Sequence, residues 1–258
     1  LWPVLAKAVE NGHEIGSHAA THPCQFPPSR WFCAVSYSDY ELADSRDDIL
    51  ARTGQPYVWS FAYPCGLCNE YDFVRRKLRH AGYLTARIYP DEANGGHLLP
   101  DMNTWDSDRY RAPYTQAVQK KAGIAPEGRR DVAVINAKFD EVYEGGGIYN
   151  FLTHPSWLDY EPGNFYEQHV SYISRRDDIW YVPTGPLYAY QDVAEQTEVR
   201  PLGRGRFAVA HNLSPVIFPN SVTLTFGLTE PGPVEIWADK RVLAARPDIM
   251  AAVHTHTP

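Results

Sequence analysis

Two histidines four residues apart are the first candidates for chemistry in this sequence. His18 and His22 lie in the run Gly-His-Glu-Ile-Gly-Ser-His-Ala-Ala-Thr-His-Pro at residues 12–23, after a short predicted strand at 13–17. On one turn of chain this spacing lets both imidazoles face the same point and bind one divalent cation in their neutral form. Solvated or capping histidines show the same spacing, so a structural role stays open for the pair alone.

Two further groups also follow predicted strands. His154 ends an apolar run at 148–153, and the turn from Pro64 to Gly66 follows a strand predicted at 57–63. Parallel sheets and barrels place their active sites at the C-terminal ends of strands. Backbone N–H groups of the turn could face a developing oxyanion, because Pro and Gly fix such a turn. The structural alternatives are a hydrogen-bonded core histidine and an ordinary strand-to-helix connection.

These segments resemble the motifs of the polysaccharide deacetylases of carbohydrate esterase family 4. Residues 12–23 look like the family's second motif, in which both histidines bind the metal. Residues 61–66 look like the third, which lines the groove with Tyr63 and Pro64 and donates an oxyanion N–H, here from Cys65. Residues 151–155 look like the last, whose histidine, here His154, is the general acid. The resemblance spans about residues 1–190, with the motifs in family order.

The resemblance implies a distorted β/α barrel and a hydrolase that removes acetyl groups from an N- or O-acetylated polysaccharide or oligosaccharide. It implies a divalent metal at His18 and His22, with zinc favoured by ligand type. Trp157 could stack on a sugar ring, with burial as the alternative. Arg87 could replace the arginine that orients the base in many members, where this chain has Ala62; an ordinary surface arginine is the alternative.

The chain departs from the family in one important respect. The first motif, Thr-Phe-Asp-Asp or a close variant, supplies the general base and an aspartate ligand, and it is absent from this sequence. Asp47-Asp48 lies in a predicted helix and Asp177-Asp178 precedes a predicted strand. We therefore expect that an N-terminal strand, helix and strand are missing, and that this chain alone, without the base, is inactive. A small departure is Ala19, which removes a hydrogen bond from the His loop unless Thr21 supplies it.

Composition bounds the function classes and the domains. The 258 residues carry 24 Lys and Arg against 31 Asp and Glu, a formal net charge of −7, and no long uninterrupted apolar run. Nucleic-acid binding and membrane insertion are therefore not expected. Helices alternating with strands up to about residue 190 predict an α/β domain at 1–198. Short β-type runs after that predict a small β-rich domain at 199–258.

Several local signals predict individual elements. Helices are expected at 1–11, from Ser38 with a capping box to Glu41, after an Asn69 cap, and at 131–143 and 165–174. Further strands are expected at 83–88, 148–153 and 179–182.

The four cysteines, Cys24, Cys33, Cys65 and Cys68, permit three pairings. Cys24 and Cys33 bracket a Pro-rich loop and could close it as a disulfide in an oxidising compartment, and this pairing would favour an extracellular or periplasmic location. Cys65 and Cys68 have the spacing of a redox pair, so a thiol redox protein is one alternative function. A non-catalytic carbohydrate-binding protein on the same scaffold is another.

Overall fold

The structure is a computed structural model that describes residues 1–87, 132–145, 148–149, 163–204 and 206–214. The α-helices of this part are α1 (Trp2–Glu10), α2 (Arg30–Ser36), α3 (Ser45–Thr53), α4 (Asp72–His80), α5 (Val132–Gly145), α6 (Phe165–Ile173) and α7 (Thr184–Gln196). The strands are β1 (Ser60–Ala62), β2 (Thr85–Arg87), β3 (Glu198–Gly203) and β4 (Arg206–Ala210). This mixed content confirms the predicted α/β class, whereas the distorted barrel stays a prediction.

A short parallel sheet positions the candidate site. β1 and β2 pair in parallel, with Ser60 opposite Thr85, and α4 connects them. Ser17 forms a parallel bridge to Phe61 on the other side of β1: its N–H donates to the Ser60 carbonyl at 3.1 Å, and its carbonyl accepts from Ala62 at 2.9 Å. Three chain segments therefore run side by side and end at the same edge, as the sequence predicted.

Aromatic rings fill the core behind this sheet. Phe61 of β1 lies among Tyr37, Tyr63 and Tyr83, with ring centroids 5.2–6.2 Å apart, and all four rings are buried. The buried hydroxyls are satisfied, since Tyr37 donates to the Leu67 carbonyl at 2.9 Å and Tyr83 to the Leu42 carbonyl at 2.7 Å. These four rings therefore belong to the packing of the core.

Two disulfides cross-link the chain, and neither is the predicted one. Cys24 pairs with Cys65 and Cys33 with Cys68, with Cα atoms 6.0 and 5.6 Å apart. The predicted Cys24–Cys33 pairing is wrong, because α2 and the loop before it lie against the turn after β1 rather than closing on themselves. All four cysteines are used in these bridges. A thiol redox function at Cys65 and Cys68 would need these two thiols to pair with each other, and each is bonded to a different cysteine instead.

Some predicted elements differ from the structure. Ser38 does not form a capping box, because the Glu41 side chain bonds to the loop at Ala20 and Thr21 instead. Asn69 bonds to the Gly66 carbonyl, and α4 begins after Tyr71. The sequence reading missed α2 and α7, and residues 179–182 form no strand.

The chain divides into two compact units, Leu1–Gly185 and Pro186–Pro258. In the second unit, β3 and β4 form an antiparallel hairpin with Glu198 opposite Ala210. The predicted domains at 1–198 and 199–258 stay a prediction. Within the described part of the chain, no helix is both long and apolar enough to cross a membrane.

Candidate functional site

His18 is oriented by the strand beside it. It follows Ser17, whose backbone pairs with β1, and its Nδ1 lies 2.7 Å from the Ala62 carbonyl oxygen. A carbonyl oxygen only accepts, so Nδ1 carries the hydrogen and donates it. In the neutral ring the lone pair then lies on Nε2, which is the tautomer that a metal-binding histidine needs when its other nitrogen is held.

His22 lies beside His18 in a geometry that suits a shared cation. The two ring centroids are 4.7 Å apart and the rings are inclined at 76°. Because zinc lies about 2.0–2.1 Å from each ligating nitrogen, the ring centres of a chelating histidine pair are expected about 5 Å apart. The donor chemistry and the spacing therefore fit a divalent metal. Within the described residues, no third His, Cys, Asp or Glu joins the pair as a metal-binding group.

The turn between the two histidines is held by Glu41. Ala19 and His22 have positive φ angles of 64° and 54°, so the chain reverses tightly here. The buried Glu41 carboxylate accepts the Ala20 N–H at 2.8 Å, the Thr21 N–H at 2.9 Å and the Thr21 hydroxyl at 2.6 Å. Thr21 thus supplies the side-chain hydrogen bond that Ala19 cannot make.

A buried pair of serines fixes the start of the same loop. The Ser45 hydroxyl donates to the Glu41 carbonyl at 2.8 Å, so Ser17 is the donor in the 2.8 Å contact between their hydroxyls. The Ser17 oxygen in turn accepts the Ala19 N–H at 3.3 Å. The first turn of α3 therefore braces the chain on both sides of His18.

The turn after β1 is tied to the histidine loop. Pro64–Gly66 forms a 3₁₀ turn closed by the bond from Gly66 N–H to the Tyr63 carbonyl at 2.9 Å, and Cys65 has a φ of 52°. Its disulfide partner, Cys24, is two residues beyond His22. The predicted oxyanion turn and the predicted metal pair are therefore joined covalently.

This geometry is accompanied by a match to a known family. Residues 2–86 match the family model of the polysaccharide deacetylases. The matched segment covers about a third of the chain and holds both histidines, the turn at Cys65 and the strands that position them. The predicted family resemblance is confirmed for this segment. No curated protein and no solved structure matches the chain.

Among the other residues predicted from the deacetylase motifs, the structure places some away from solvent. Tyr63 is only 1% exposed, and its ring packs against Phe61 and Tyr37, so its side chain belongs to the core. Pro64 is also buried, whereas Arg87 is half-buried at the end of β2, where its carbonyl accepts the Tyr63 N–H at 3.0 Å. His154 and Trp157 lie outside the described residues, and their roles stay predictions.

Sequence reasoning missed a second carboxylate that supports the deacetylase motif. Glu14 Oε1 accepts from the N–H groups of Trp59 and Ser60 at 3.2 and 3.1 Å, and Oε2 accepts from Gly185 N–H at 2.7 Å. Burial raises the pKa of Glu14, and these hydrogen bonds oppose the rise. Glu14 lies four residues before His18, but its partners are distant in sequence, so only the fold reveals its role.

Proposed function

We propose that this chain carries the metal-binding half of the active site of a deacetylase acting on an acetylated polysaccharide or oligosaccharide. The family match at residues 2–86 supports deacetylase activity in general. The observation that carries the finer proposal is the hydrogen bond from His18 Nδ1 to the Ala62 carbonyl, which places the lone pair of the neutral ring on Nε2, together with the His22 ring whose centroid lies 4.7 Å from that of His18.

In this proposal His18 and His22 hold a divalent cation, most readily zinc. When bound, such a cation polarises the acetyl carbonyl and lowers the pKa of a water molecule. The Cys65 N–H stabilises the negative charge that develops on the carbonyl oxygen, since a fixed backbone donor needs no reorganisation there. His154 protonates the departing amine or hydroxyl group. Trp157 and Arg87 contact the substrate.

Two ligands and an acid do not complete the reaction. The described residues hold no third metal ligand beside the histidine pair, so the proposal requires a carboxylate from elsewhere in the protein as ligand and another as base. The two disulfides support an extracellular or periplasmic location, because such bridges persist in oxidising compartments.

Metal binding tests the proposal most directly. We would titrate zinc into the chain and into its His18→Gln and His22→Gln variants, with His80→Gln as control because His80 is an exposed histidine at the end of α4. We expect one zinc ion per chain, a loss of at least tenfold in affinity in the first two variants, and no change in the control.

A longer variant, in which a segment carrying an Asp-Asp pair is fused ahead of Leu1, provides the second readout. It should bind zinc more tightly and release acetate from acetylated oligosaccharides. If the folded chain and the longer variant both bind no metal, the histidine pair is structural, and a non-catalytic glycan-binding function replaces the deacetylase.

A further inference from the structure

The segment from Cys24 to Ser36 is fixed at two points and is called here the clipped segment. It contains a Pro-rich loop followed by α2, and its disulfides run from Cys24 to Cys65 and from Cys33 to Cys68. Both bridges end on the short stretch that begins at the turn after β1. Cross-links of this kind limit how far the segment can move relative to the candidate site.

Two large rings of the clipped segment face solvent. α2 buries Cys33 and Ser36, so its opposite side is outward, and Trp31 there is 75% exposed. Phe26, in the Pro-rich loop, is 69% exposed. Single exposed apolar side chains are ordinary. Here two exposed aromatic rings lie on one short segment that disulfides hold in place, so packing does not explain their presence.

The rings also lie close to the histidine pair along the chain. Phe26 is four residues after His22, so even a fully extended chain places their Cα atoms within about 14 Å. Cys24 lies between them and is bonded directly to Cys65, whose N–H is the proposed oxyanion donor. Phe26 is thus beside the proposed reaction centre, and Trp31 follows it on the same cross-linked segment, two residues before the bridge from Cys33 to Cys68.

The charge of the segment indicates the kind of ligand. Arg30 is the single Lys, Arg, Asp or Glu between residues 22 and 36, and its guanidinium lies 5.6 Å from the Phe73 ring centroid. An anionic membrane would require clustered Lys and Arg. Uncharged sugar rings instead present flat C–H faces that stack on aromatic side chains, while their hydroxyls stay in water. This composition favours a neutral glycan over a charged surface.

We propose that Phe26 and Trp31 form a sugar-stacking rim that binds glycan residues flanking the one that reacts. The inference rests on the proposed function, because it assigns the rim to the same substrate. It adds a recognition element that the histidines and the turn do not provide.

The test compares glycan binding by the full chain and its variants. The probes are an N-acetylated chitooligosaccharide and an acetylated xylooligosaccharide, each of about six units, and binding is measured by isothermal titration. We expect Trp31→Ala to weaken binding about tenfold, the Phe26→Ala/Trp31→Ala double variant to weaken it further, and Trp31→Tyr to restore most of it. Trp180→Ala is the matched control, since Trp180 is 56% exposed but outside the clipped segment.

Zinc affinity and thermal stability are measured on the same samples, which separates the two proposals. Wild-type protein that binds zinc but neither glycan overturns the rim and leaves the proposed function standing. Glycan binding that depends on Trp31, in protein that binds no metal, supports the rim and overturns the proposed catalysis. Equal affinities for Trp31→Ala and Trp180→Ala in folded protein also overturn the rim and indicate that another partner, such as a protein, contacts these rings.

Discussion

Glu41 and Thr21 are joined by a 2.6 Å hydrogen bond between carboxylate and hydroxyl, and this contact closes the turn between the two candidate metal ligands. The same carboxylate accepts the backbone N–H groups of Ala20 and Thr21. A carboxylate accepts on both oxygens, so one buried side chain satisfies three donors of a tight loop. The separation of His18 and His22 therefore depends on Glu41, which is not itself one of the two candidate metal-binding residues.

We predict that Glu41→Gln destabilises the protein and weakens zinc binding together. The amide has only one accepting oxygen, so it turns an N–H group towards donors that the carboxylate satisfied. The free energy of unfolding should fall by about 1–3 kcal/mol, and zinc affinity should fall as the loop loosens. Urea denaturation and zinc titration measure the two effects.

Glu10→Gln is the control for this variant. Glu10 forms an exposed ion pair with Lys7 on α1, and exposed pairs contribute at most about 1 kcal/mol. The predicted role of Glu41 is wrong if both variants have the same stability and the same zinc affinity.

The disulfide pairing predicts how the two bridges differ in their effects. With the other bridge intact, each bridge closes a ring of about a dozen residues, nine from Cys24 to Cys33 and three from Cys65 to Cys68, so removing either should lower the free energy of unfolding by about 3 kcal/mol. Only the loss of Cys24–Cys65 releases the turn beside the histidines. Zinc affinity should therefore fall in Cys24→Ala/Cys65→Ala and change little in Cys33→Ala/Cys68→Ala. Peptide mapping that finds Cys24 bonded to Cys33 would contradict both the pairing and this expectation.

The residues show which parts of the fold the sequence could predict. α1 and α4 follow from apolar spacing and from Gly12 and Gly82, because those signals lie within one element. The four-residue spacing of His18 and His22 predicts that their rings can approach each other, and their centroids are 4.7 Å apart, whereas metal binding stays a prediction. The sequence could not predict the disulfide pairing, because three pairings fit it and only the neighbouring segments decide between them.

The role of Glu41 was hidden for a related reason. A Ser followed three residues later by Glu is typical of a helix cap, and the local pattern gives no sign that the carboxylate instead bonds to a loop twenty residues earlier. Side chains that brace a site through distant contacts need the fold before they can be assigned.

The buried His169 predicts a loss of stability at acidic pH. Its Nδ1 lies 2.8 Å from Asn136 Oδ1 and its Nε2 lies 2.7 Å from the Tyr149 hydroxyl, and burial lowers its pKa to about 4. The unfolded chain binds a proton at this histidine below about pH 6.5, whereas the folded chain does so only near pH 4. Unfolding therefore takes up a proton between these values. The contribution of His169 to the free energy of unfolding is complete above about pH 6.5 and decreases as the pH drops. At pH 5 it is smaller by about 2 kcal/mol.

Other groups titrate in the same range, so the measurement is a difference between variants. Denaturation of wild type and His169→Gln from pH 7.5 to 5 should show a shallower dependence in the variant. His80→Gln, which replaces an exposed histidine, should keep the wild-type dependence. Equal slopes for wild type and His169→Gln would show that His169 does not contribute.

The close approach of Gly16 to Ser60 of β1 predicts that the site tolerates no side chain at residue 16. A Cβ atom at Gly16 would lie 2.5 Å from Ser60 Oγ and 3.0 Å from the Ser60 carbonyl oxygen. The hydroxyl can rotate away, but the carbonyl belongs to β1 and accepts the Ser17 N–H, so it cannot move without loosening that pairing. Gly16→Ala should therefore destabilise the protein by about 1–3 kcal/mol and reduce zinc affinity, because His18 is displaced from Ala62.

Gly145→Ala provides the comparison, because a Cβ atom there meets nothing within 4 Å at the end of α5. That change should leave zinc affinity unaltered and stabilise the protein slightly, by at most about 1 kcal/mol. Thermal denaturation and zinc titration of both variants decide the matter. If Gly16→Ala has the same stability and the same zinc affinity as Gly145→Ala, the close approach of Gly16 to β1 does not position His18.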